Sequence, residues 1–308
     1  MSGLRVPVLM FHHVEPEPAR LEPPPLHPAS YLARRELAAL LDTLAARGYR
    51  TWTLAEAAAR HTAGRRLPRR SLVLTFDDGC RCFRDQVWPE LAARQMTATL
   101  FAVSGELGGS NRWDRPPAAD PGSAAAAIER REELLGAAAL RALAAAGIEI
   151  GAHGRHHRDL TRCDDPTLDD EVAGSRAELA AALGEPVLSF CFPYGRYDQR
   201  AIAAARGAGY RTAATIHGQR PAHGSDLYAV PRLAVNPGDS AFELRLKVSG
   251  AYPLWSRLPR LGLLRALRRS PPRPAPPTGR RPVSDEIDRR PASDQTGCGP
   301  LAGRGGGA

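Results

Sequence analysis

Short apolar runs alternate with amphipathic stretches along most of the chain. The apolar runs predict buried strands over 6–11, 71–76, 97–103, 148–152, 187–192, 211–216 and 228–235. Between them, apolar residues recur at helical spacing and predict helices over 32–47, 53–61, 84–94, 134–146, 168–183, 199–206 and 240–248. Strands that alternate with helices about seven times predict βα units and a parallel sheet, either a barrel or a doubly wound sheet.

Side chains with catalytic or ligand chemistry come directly after the predicted strands. They are His12, Asp77, Asp78, His153, His157 and Tyr194. In a barrel the carboxyl ends of all strands share one face, where the active sites of such barrels lie. A doubly wound sheet would scatter these residues, so their placement favours a barrel with one site at that end.

Two pairs among these residues suggest a metal site. Asp77 and Asp78 are adjacent carboxylates, which repel each other unless a cation or a proton relieves them. A metal ion can hold one carboxylate while the other stays free as a base. His153 and His157 are four residues apart, so both imidazoles can reach one ion. Taken alone, the aspartates would fit a helix N-cap equally well, and the histidines could be surface residues.

Length and charge narrow the class of protein. The chain has 308 residues, 43% of them hydrophobic, which permits one domain of about 250 residues. Seven of its nine net positive charges lie in 257–308, so the folded part is nearly neutral and gives no sign of nucleic-acid binding. The five cysteines lack the spacing of a zinc knuckle or a disulfide framework, and we expect reduced thiols.

Composition also sets the domain boundaries. We assign 1–250 to the folded domain, 251–270 to a basic amphipathic segment, and 271–308 to a Pro/Arg/Gly-rich tail expected to be disordered. The insertion at 104–132 is either a lid or disorder. No signal peptide or membrane-spanning run is seen, so the expected location is cytoplasmic, with weak contact of the basic segment with anionic membrane surfaces.

Three motifs together resemble the polysaccharide deacetylase (NodB-homology) family, carbohydrate esterase family four. They are Thr75-Phe76-Asp77-Asp78-Gly79, His153-x-x-x-His157 and Phe192-Pro193-Tyr194-Gly195, in the family's order and within about residues 6–250. The resemblance implies a distorted (β/α)7-type barrel and metal-dependent removal of N-acetyl or O-acetyl groups from sugars. Two alternatives stay open: a related hydrolase of C–N bonds in a non-sugar substrate, and an inactive barrel that binds glycan.

The same resemblance implies roles for individual residues. Asp78, His153 and His157 match the metal ligands, and Asp77 matches the catalytic base. The implied cofactor is one divalent ion, zinc first, with cobalt, nickel or manganese as alternatives. Tyr194 matches the position whose backbone N–H faces the oxyanion. Further expected substrate contacts are Pro193, Gly195 and Trp113, although the tryptophan could equally serve to pack the insertion. We expect a monomer that acts on an acetylated carbohydrate.

Three positions depart from the family's usual pattern. Gly154 stands where Ser or Thr is common, which removes a hydroxyl that would brace the loop. Cys191 stands where an arginine often orients the base. The late histidine that serves as general acid is absent from 232–240.

A branch of the family carries an aromatic-His sequence after the first strand and also lacks the late histidine. Phe11-His12-His13 is similar to that sequence. We therefore expect His12 to be the general acid, with His13 as the rival. Arg232 is expected to take over the contact with Asp77, although a purely structural ion pair would explain it as well.

Overall fold

The computed structural model describes residues 4, 6–22, 27–113, 131–216, 226–249 and 251–252. All of them belong to one compact unit, Met1–Leu261. The tail 271–308, nearly all of the basic segment 251–270 and most of the insertion 104–132 lie outside the described residues. Within the described residues, no helix combines the length and apolar character needed to cross a membrane.

Seven parallel strands close into a barrel, which confirms the (β/α)7-type architecture. The strands are β1 Val8–Phe11, β5 Ser71–Phe76, β6 Thr99–Ala102, β7 Glu149–Ala152, β8 Ser189–Cys191, β9 Thr212–Ile216 and β10 Val230–Ala234. Around the ring they follow the order β1, β10, β9, β8, β7, β6, β5, and β5 pairs with β1 to close it. All seven were predicted from their apolar runs, because strands covered on both faces are nearly continuous in hydrophobic residues.

Three further strands were not predicted. They are β2 His13–Glu15, β3 Tyr31–Ala33 and β4 Arg50–Trp52. Strands β2 and β3 form a separate parallel pair, while β4 pairs with the first half of β5. Each has only three residues, which is too short for hydrophobic periodicity to reveal a strand.

The helices among the described residues surround the barrel. They are α1 Arg34–Ala46, α2 Leu54–Thr62, α3 Trp88–Ala92, α4 Ala137–Ala145, α5 Asp165–Asp169, α6 Ser175–Leu183, α7 Gln199–Gly207 and α8 Ala241–Ser249. Helix α2 begins with an N-cap at Thr53: the Thr53 side chain accepts a hydrogen bond from Glu56 N, and the Glu56 carboxylate accepts one from Thr53 N. Helix α6 ends at Gly184, which adopts a left-handed conformation.

Two predicted helices contain π-helical turns instead of continuous α-helix. One turn, Phe83–Val87, runs directly into α3, whose second residue is Pro89 and has no N–H to continue the helical bonding. The other, Asp170–Gly174, joins α5 to α6. Such turns interrupt regular helices and are frequent at functional sites.

The barrel interior holds a charged side chain. Arg232 in β10 is fully buried and is the largest fully buried side chain in the described part of the chain. Burying a guanidinium without a partner would be strongly unfavourable. The groups that surround the Arg232 guanidinium are therefore candidates for the functional site.

Candidate active site

The predicted site residues meet at the carboxyl ends of the barrel strands. Asp77 and Asp78 follow β5, and His153 follows β7. His12 follows β1, and Tyr194 lies three residues beyond β8. The parallel topology places these strand ends on one face, as the sequence predicted.

Asp78, His153 and His157 form a buried group whose ligand atoms all lie within 4.8 Å of one another. The Asp78 Oδ1 atom is 3.7 Å from Nε2 of His153 and 3.7 Å from Nε2 of His157. These separations exceed a hydrogen bond but suit ligands that share one ion at about 2.1 Å each. Among the described residues, this group can hold a divalent metal with three protein ligands and leave a coordination position open.

The protonation states of the histidines suit metal binding. His153 Nδ1 lies 2.9 Å from the carbonyl oxygen of Cys191. Because a carbonyl only accepts, Nδ1 carries the hydrogen and Nε2 presents its lone pair towards Asp78. Burial lowers the pKa of His153 to about 4 and lowers the pKa of His157 well below its usual value, so both are neutral at pH 7. A carboxylate facing two imidazole lone pairs is an arrangement that a cation relieves.

Two of these three residues adopt an unusual backbone conformation. Asp78 has a φ of 73° and His157 a φ of 56°, both in the left-handed region. Asp and His tolerate this region better than most side chains, and such conformations cluster at functional sites. The Gly79 backbone next to Asp78 is also left-handed, with a φ of 74°.

Asp77 is held by Arg232 of β10, which lies on the other side of β1 from β5. Arg232 Nη1 donates to Asp77 Oδ1 at 2.6 Å, and Nη2 donates to Oδ2 at 2.8 Å. Paired bonds of this kind fix the plane of the carboxylate. Burial alone would raise the pKa of Asp77, but the charge of Arg232, with smaller contributions from His153 and His12, holds it well below its usual range. Asp77 is therefore ionised at neutral pH.

The contact expected between Arg232 and Asp77 is thus present. The small side chain of Cys191 leaves space for the Arg232 guanidinium beside Asp77. Cys191 is fully buried, and its Sγ lies 3.0 Å from Arg232 Nη2. A larger side chain at 191 would need the space that the guanidinium occupies. The guanidinium also donates to Thr75 Oγ1 at 3.1 Å and to the Thr215 carbonyl oxygen at 3.2 Å.

His12 and His13 occupy different environments. His12 Nε2 is 3.7 Å from Asp77 Oδ2, and 28% of the His12 side chain is exposed. His13 Nε2 is 3.8 Å from Asp78 Oδ2, but its side chain is buried and stacks on Tyr31 with ring centroids 4.4 Å apart. A group that donates a proton to substrate must be reachable, so the exposure of His12 favours it over its rival.

Aromatic rings surround His157. Trp113 stacks on it with centroids 4.7 Å apart, and Tyr194 meets it edge-on at 4.6 Å. The face of Trp113 that contacts His157 is not available to a sugar, whereas the Tyr194 side chain is 43% exposed. After Pro193 the chain turns tightly at Gly195, where an added Cβ would lie 2.5 Å from Ile216 Cγ1.

The sequence did not indicate Glu171. This residue is fully buried, and its carboxylate accepts hydrogen bonds from the backbone N–H groups of Arg155 and His156, between the two histidine ligands. In sequence it is one of three consecutive acids, 169–171, on a predicted surface helix. Its burial sets it apart from the two exposed aspartates before it, and residue type alone does not reveal that difference.

A family model and a curated relative both match a large part of this chain. Residues 64–213 match the family model described as polysaccharide deacetylase. The putative polysaccharide deacetylase YxkH of Bacillus subtilis (strain 168) is 23% identical over 236 residues, which is 77% of this chain and 73% of that protein.

Solved structures share the fold. The deacetylase PplD of Streptococcus pyogenes, solved in complex with acetate, superposes with a TM-score of 0.63 at 19% identity and covers 79% of this chain and 97% of its own. IcaB of Ammonifex degensii superposes with a TM-score of 0.60 at 22% identity, covering 82% of this chain and 98% of its own.

Proposed function

Because residues 64–213 belong to the polysaccharide deacetylase family, we propose that this protein is a metal-dependent hydrolase of acetyl groups on N-acetylated or O-acetylated carbohydrates. Family membership supports carbohydrate deacetylation in general. The observation that carries the metal-dependent part is the buried Asp78–His153–His157 group directly beside an ionised Asp77. That combination offers three ligands and a separate base, as metal-assisted hydrolysis requires.

The donor set favours one divalent ion, with zinc as the first candidate and cobalt, nickel or manganese as alternatives. When bound, such an ion polarises the acetyl carbonyl and lowers the pKa of water to about 7. His153 keeps its ligand nitrogen correctly oriented through its bond to the Cys191 carbonyl oxygen.

The remaining residues would handle protons and charge. Asp77 accepts a proton from the attacking water, and Arg232 keeps both of its oxygens in place and ionised. His12, partly exposed beside Asp77, protonates the leaving amine. The Tyr194 backbone N–H is the candidate donor to the developing oxyanion.

An inactive glycan-binding barrel is the alternative that the missing arginine at 191 favours. Arg232 contacts both oxygens of Asp77, so this chain does not lack an arginine beside its base. A hydrolase of C–N bonds in non-sugar substrates would use the same groups. Substrate profiling separates that alternative from the proposal.

The test is acetate release by the full chain from a panel of N-acetylated and O-acetylated sugars and oligosaccharides. The metal-stripped protein should be inactive and should recover with Zn²⁺ or Co²⁺. Asp78→Ala should bind metal weakly and stay inactive, because three ligands barely suffice for a stable site. Full activity in Asp78→Ala, or after metal removal, would refute metal dependence. Release from simple amides but from no sugar would move the assignment to the non-sugar alternative.

A further inference from the structure

The loop that carries both histidine ligands is only five residues long. It follows β7 and runs from His153 to His157, with left-handed backbone at Gly154 (φ of 78°) as well as at His157. A segment with these dihedral angles forms neither helix nor sheet, so its backbone polar groups need partners from elsewhere. Those partners determine how rigidly the two imidazoles are held.

On one side, the loop bonds to the chain after β6. Ser104 N donates to the Gly154 carbonyl oxygen at 3.2 Å, and Gly105 N donates to that of Arg155 at 2.8 Å. These bonds satisfy two of the loop's carbonyl groups. They leave the N–H groups of the same peptides to be satisfied from the opposite side.

On the opposite side, Glu171 accepts those N–H groups. Its Oε2 atom lies 2.9 Å from Arg155 N and 3.0 Å from His156 N. The other oxygen lies 3.4 Å from Nε of Arg158, whose side chain is largely exposed. A fully buried carboxylate is unfavourable without such donors, and here two amides and a guanidinium supply them.

Gly154 makes room for this carboxylate. A Cβ added at 154 would lie 2.8 Å from Glu171 Oε2, closer than real Cβ atoms approach other atoms. Because residue 154 has no side chain, the Glu171 carboxylate can approach the loop backbone closely. This explains how a loop with Gly in place of Ser or Thr is still braced.

We propose that Glu171 is the positioning residue of the metal-binding loop and that Gly154 is required to admit its carboxylate. The proposal rests on the proposed metal site, since its effect is to hold His153 and His157 at ligand distance. Two neighbouring acids differ from Glu171: Asp170 and Glu178 contact the Arg155 side chain, not the loop backbone.

The first test measures Zn²⁺ affinity by chelator competition on the full chain. Glu171→Ala should weaken binding about 10- to 100-fold, as loss of groups that orient ligands does. Glu171→Gln should recover part of the loss, because its carbonyl oxygen can still accept from the loop. Asp170→Asn, an adjacent and partly exposed acid, is the matched control and should bind like wild type. Equal affinity of wild type and Glu171→Ala would overturn the proposal.

Amide hydrogen exchange gives a readout that needs no metal. The Arg155 and His156 amides should exchange faster in Glu171→Ala, while amides of the barrel strands keep wild-type protection. A uniform loss of protection would indicate a general folding defect and count against a local positioning role. Absent Zn²⁺ binding by the wild type would refute the proposed function, whereas this exchange pattern would still decide the role of Glu171.

A double-mutant cycle tests the link between Gly154 and Glu171. Gly154→Ala should weaken Zn²⁺ binding in the wild type through collision with the carboxylate and through its left-handed backbone. In the Glu171→Ala background only the backbone effect remains, so the fold-loss should be smaller. An equal fold-loss in both backgrounds would overturn the role assigned to Gly154.

Discussion

Two carboxylates at opposite ends of the barrel have opposite pKa shifts. Glu149 begins β7 at the amino end, and Asp77 follows β5 at the carboxyl end. Burial of the carboxyl group raises the pKa of Glu149 above its ordinary value. The hydrogen bonds to this carboxyl group lower its pKa, but their effect is smaller than that of burial. At Asp77 burial also acts to raise the pKa, but the charge and hydrogen bonds of Arg232, together with the charges of His153 and His12, outweigh it and lower the pKa. The difference lies in the partners, since removal from water acts in the same direction on both groups.

The partners of Glu149 are neutral. Ala55 N and Thr99 Oγ1 donate to Oε2 at 3.0 and 2.7 Å, and Ser189 Oγ donates to Oε1 at 2.5 Å. They belong to α2, β6 and β8, so the carboxyl group ties the amino end of the barrel together. Stability devices are typical of this end, and chemistry is typical of the other. The two acids therefore differ in their partners, which are neutral donors at Glu149 and a guanidinium at Asp77.

The largest effect should follow from neutralising the active-site carboxylate. Asp77→Asn keeps the shape but removes the proton acceptor, so deacetylation should slow by about two to four powers of ten. The variant should retain its metal, because Asp78 is the proposed ligand. Turnover and metal content of the same preparation test both points. Metal loss in Asp77→Asn would mean that the two aspartates have exchanged roles.

Removing Arg232 should give Asp77 an environment like that of Glu149. In Arg232→Cys burial is no longer opposed by the guanidinium, so the pKa of Asp77 should rise by about one to three units. A base works only when ionised, so the acid limb of the kcat/KM profile should move to higher pH. Losing one partner of a buried ion pair should also cost about 3–5 kcal/mol of stability. The pH profile and urea unfolding measure the two effects.

The double variant Cys191→Arg with Arg232→Cys tests whether the position of the arginine matters. Cys191 Sγ is 4.0 Å from both oxygens of Asp77. The side chain of an arginine at 191 would therefore begin close to the carboxylate that Arg232 contacts in the wild type. The double variant should recover part of the pH shift and of the stability. A profile in Arg232→Cys that matches wild type would show that Arg232 does not control the ionisation of Asp77.

The sequence predicted the barrel because short, mostly apolar runs alternate with amphipathic helical stretches about seven times. It also predicted the contact of Arg232 with Asp77, since an arginine lost at 191 leaves a carboxylate that needs a cation. It did not indicate Glu171, because the proposed role of this residue depends on its burial and on bonds to two backbone amides. Hydrogen bonds from backbone N–H groups leave no pattern in the residue types of the donating loop.

The contribution of His12 should appear in the choice of substrate. Asp77 has a partly exposed histidine 3.7 Å away, whereas the partners that we describe for Glu149 do not titrate near neutral pH. The amine of an acetamide must be protonated as it leaves, but a good alcohol leaving group needs little help. His12→Ala should therefore slow amide substrates about 100-fold or more and slow activated acetate esters much less.

The ratio of amide to ester kcat/KM is the measurement for His12. Equal losses on both substrates would indicate that His12 only positions Asp77. His13→Ala is the comparison variant, because His13 is buried against Tyr31 and should not change the ratio. If His12→Ala leaves the ratio unchanged and His13→Ala changes it, the general acid is His13 and not His12.

The smallest effect is expected at the amino end. A group whose folded pKa is raised contributes stability below its unfolded pKa, and this contribution is lost as the pH rises through the folded value. Glu149→Gln removes that titration and keeps the bonds, since its carbonyl oxygen can replace Oε2 and the Ser189 hydroxyl can accept from its amide. Relative to Glu149→Gln, the wild type should therefore lose stability as the pH rises above about 4.3, the ordinary pKa of a glutamate. Urea unfolding at several pH values measures this difference, and turnover should be unchanged. A loss of turnover without a loss of stability would contradict the structural role of Glu149, and with it the contrast between the two ends of the barrel.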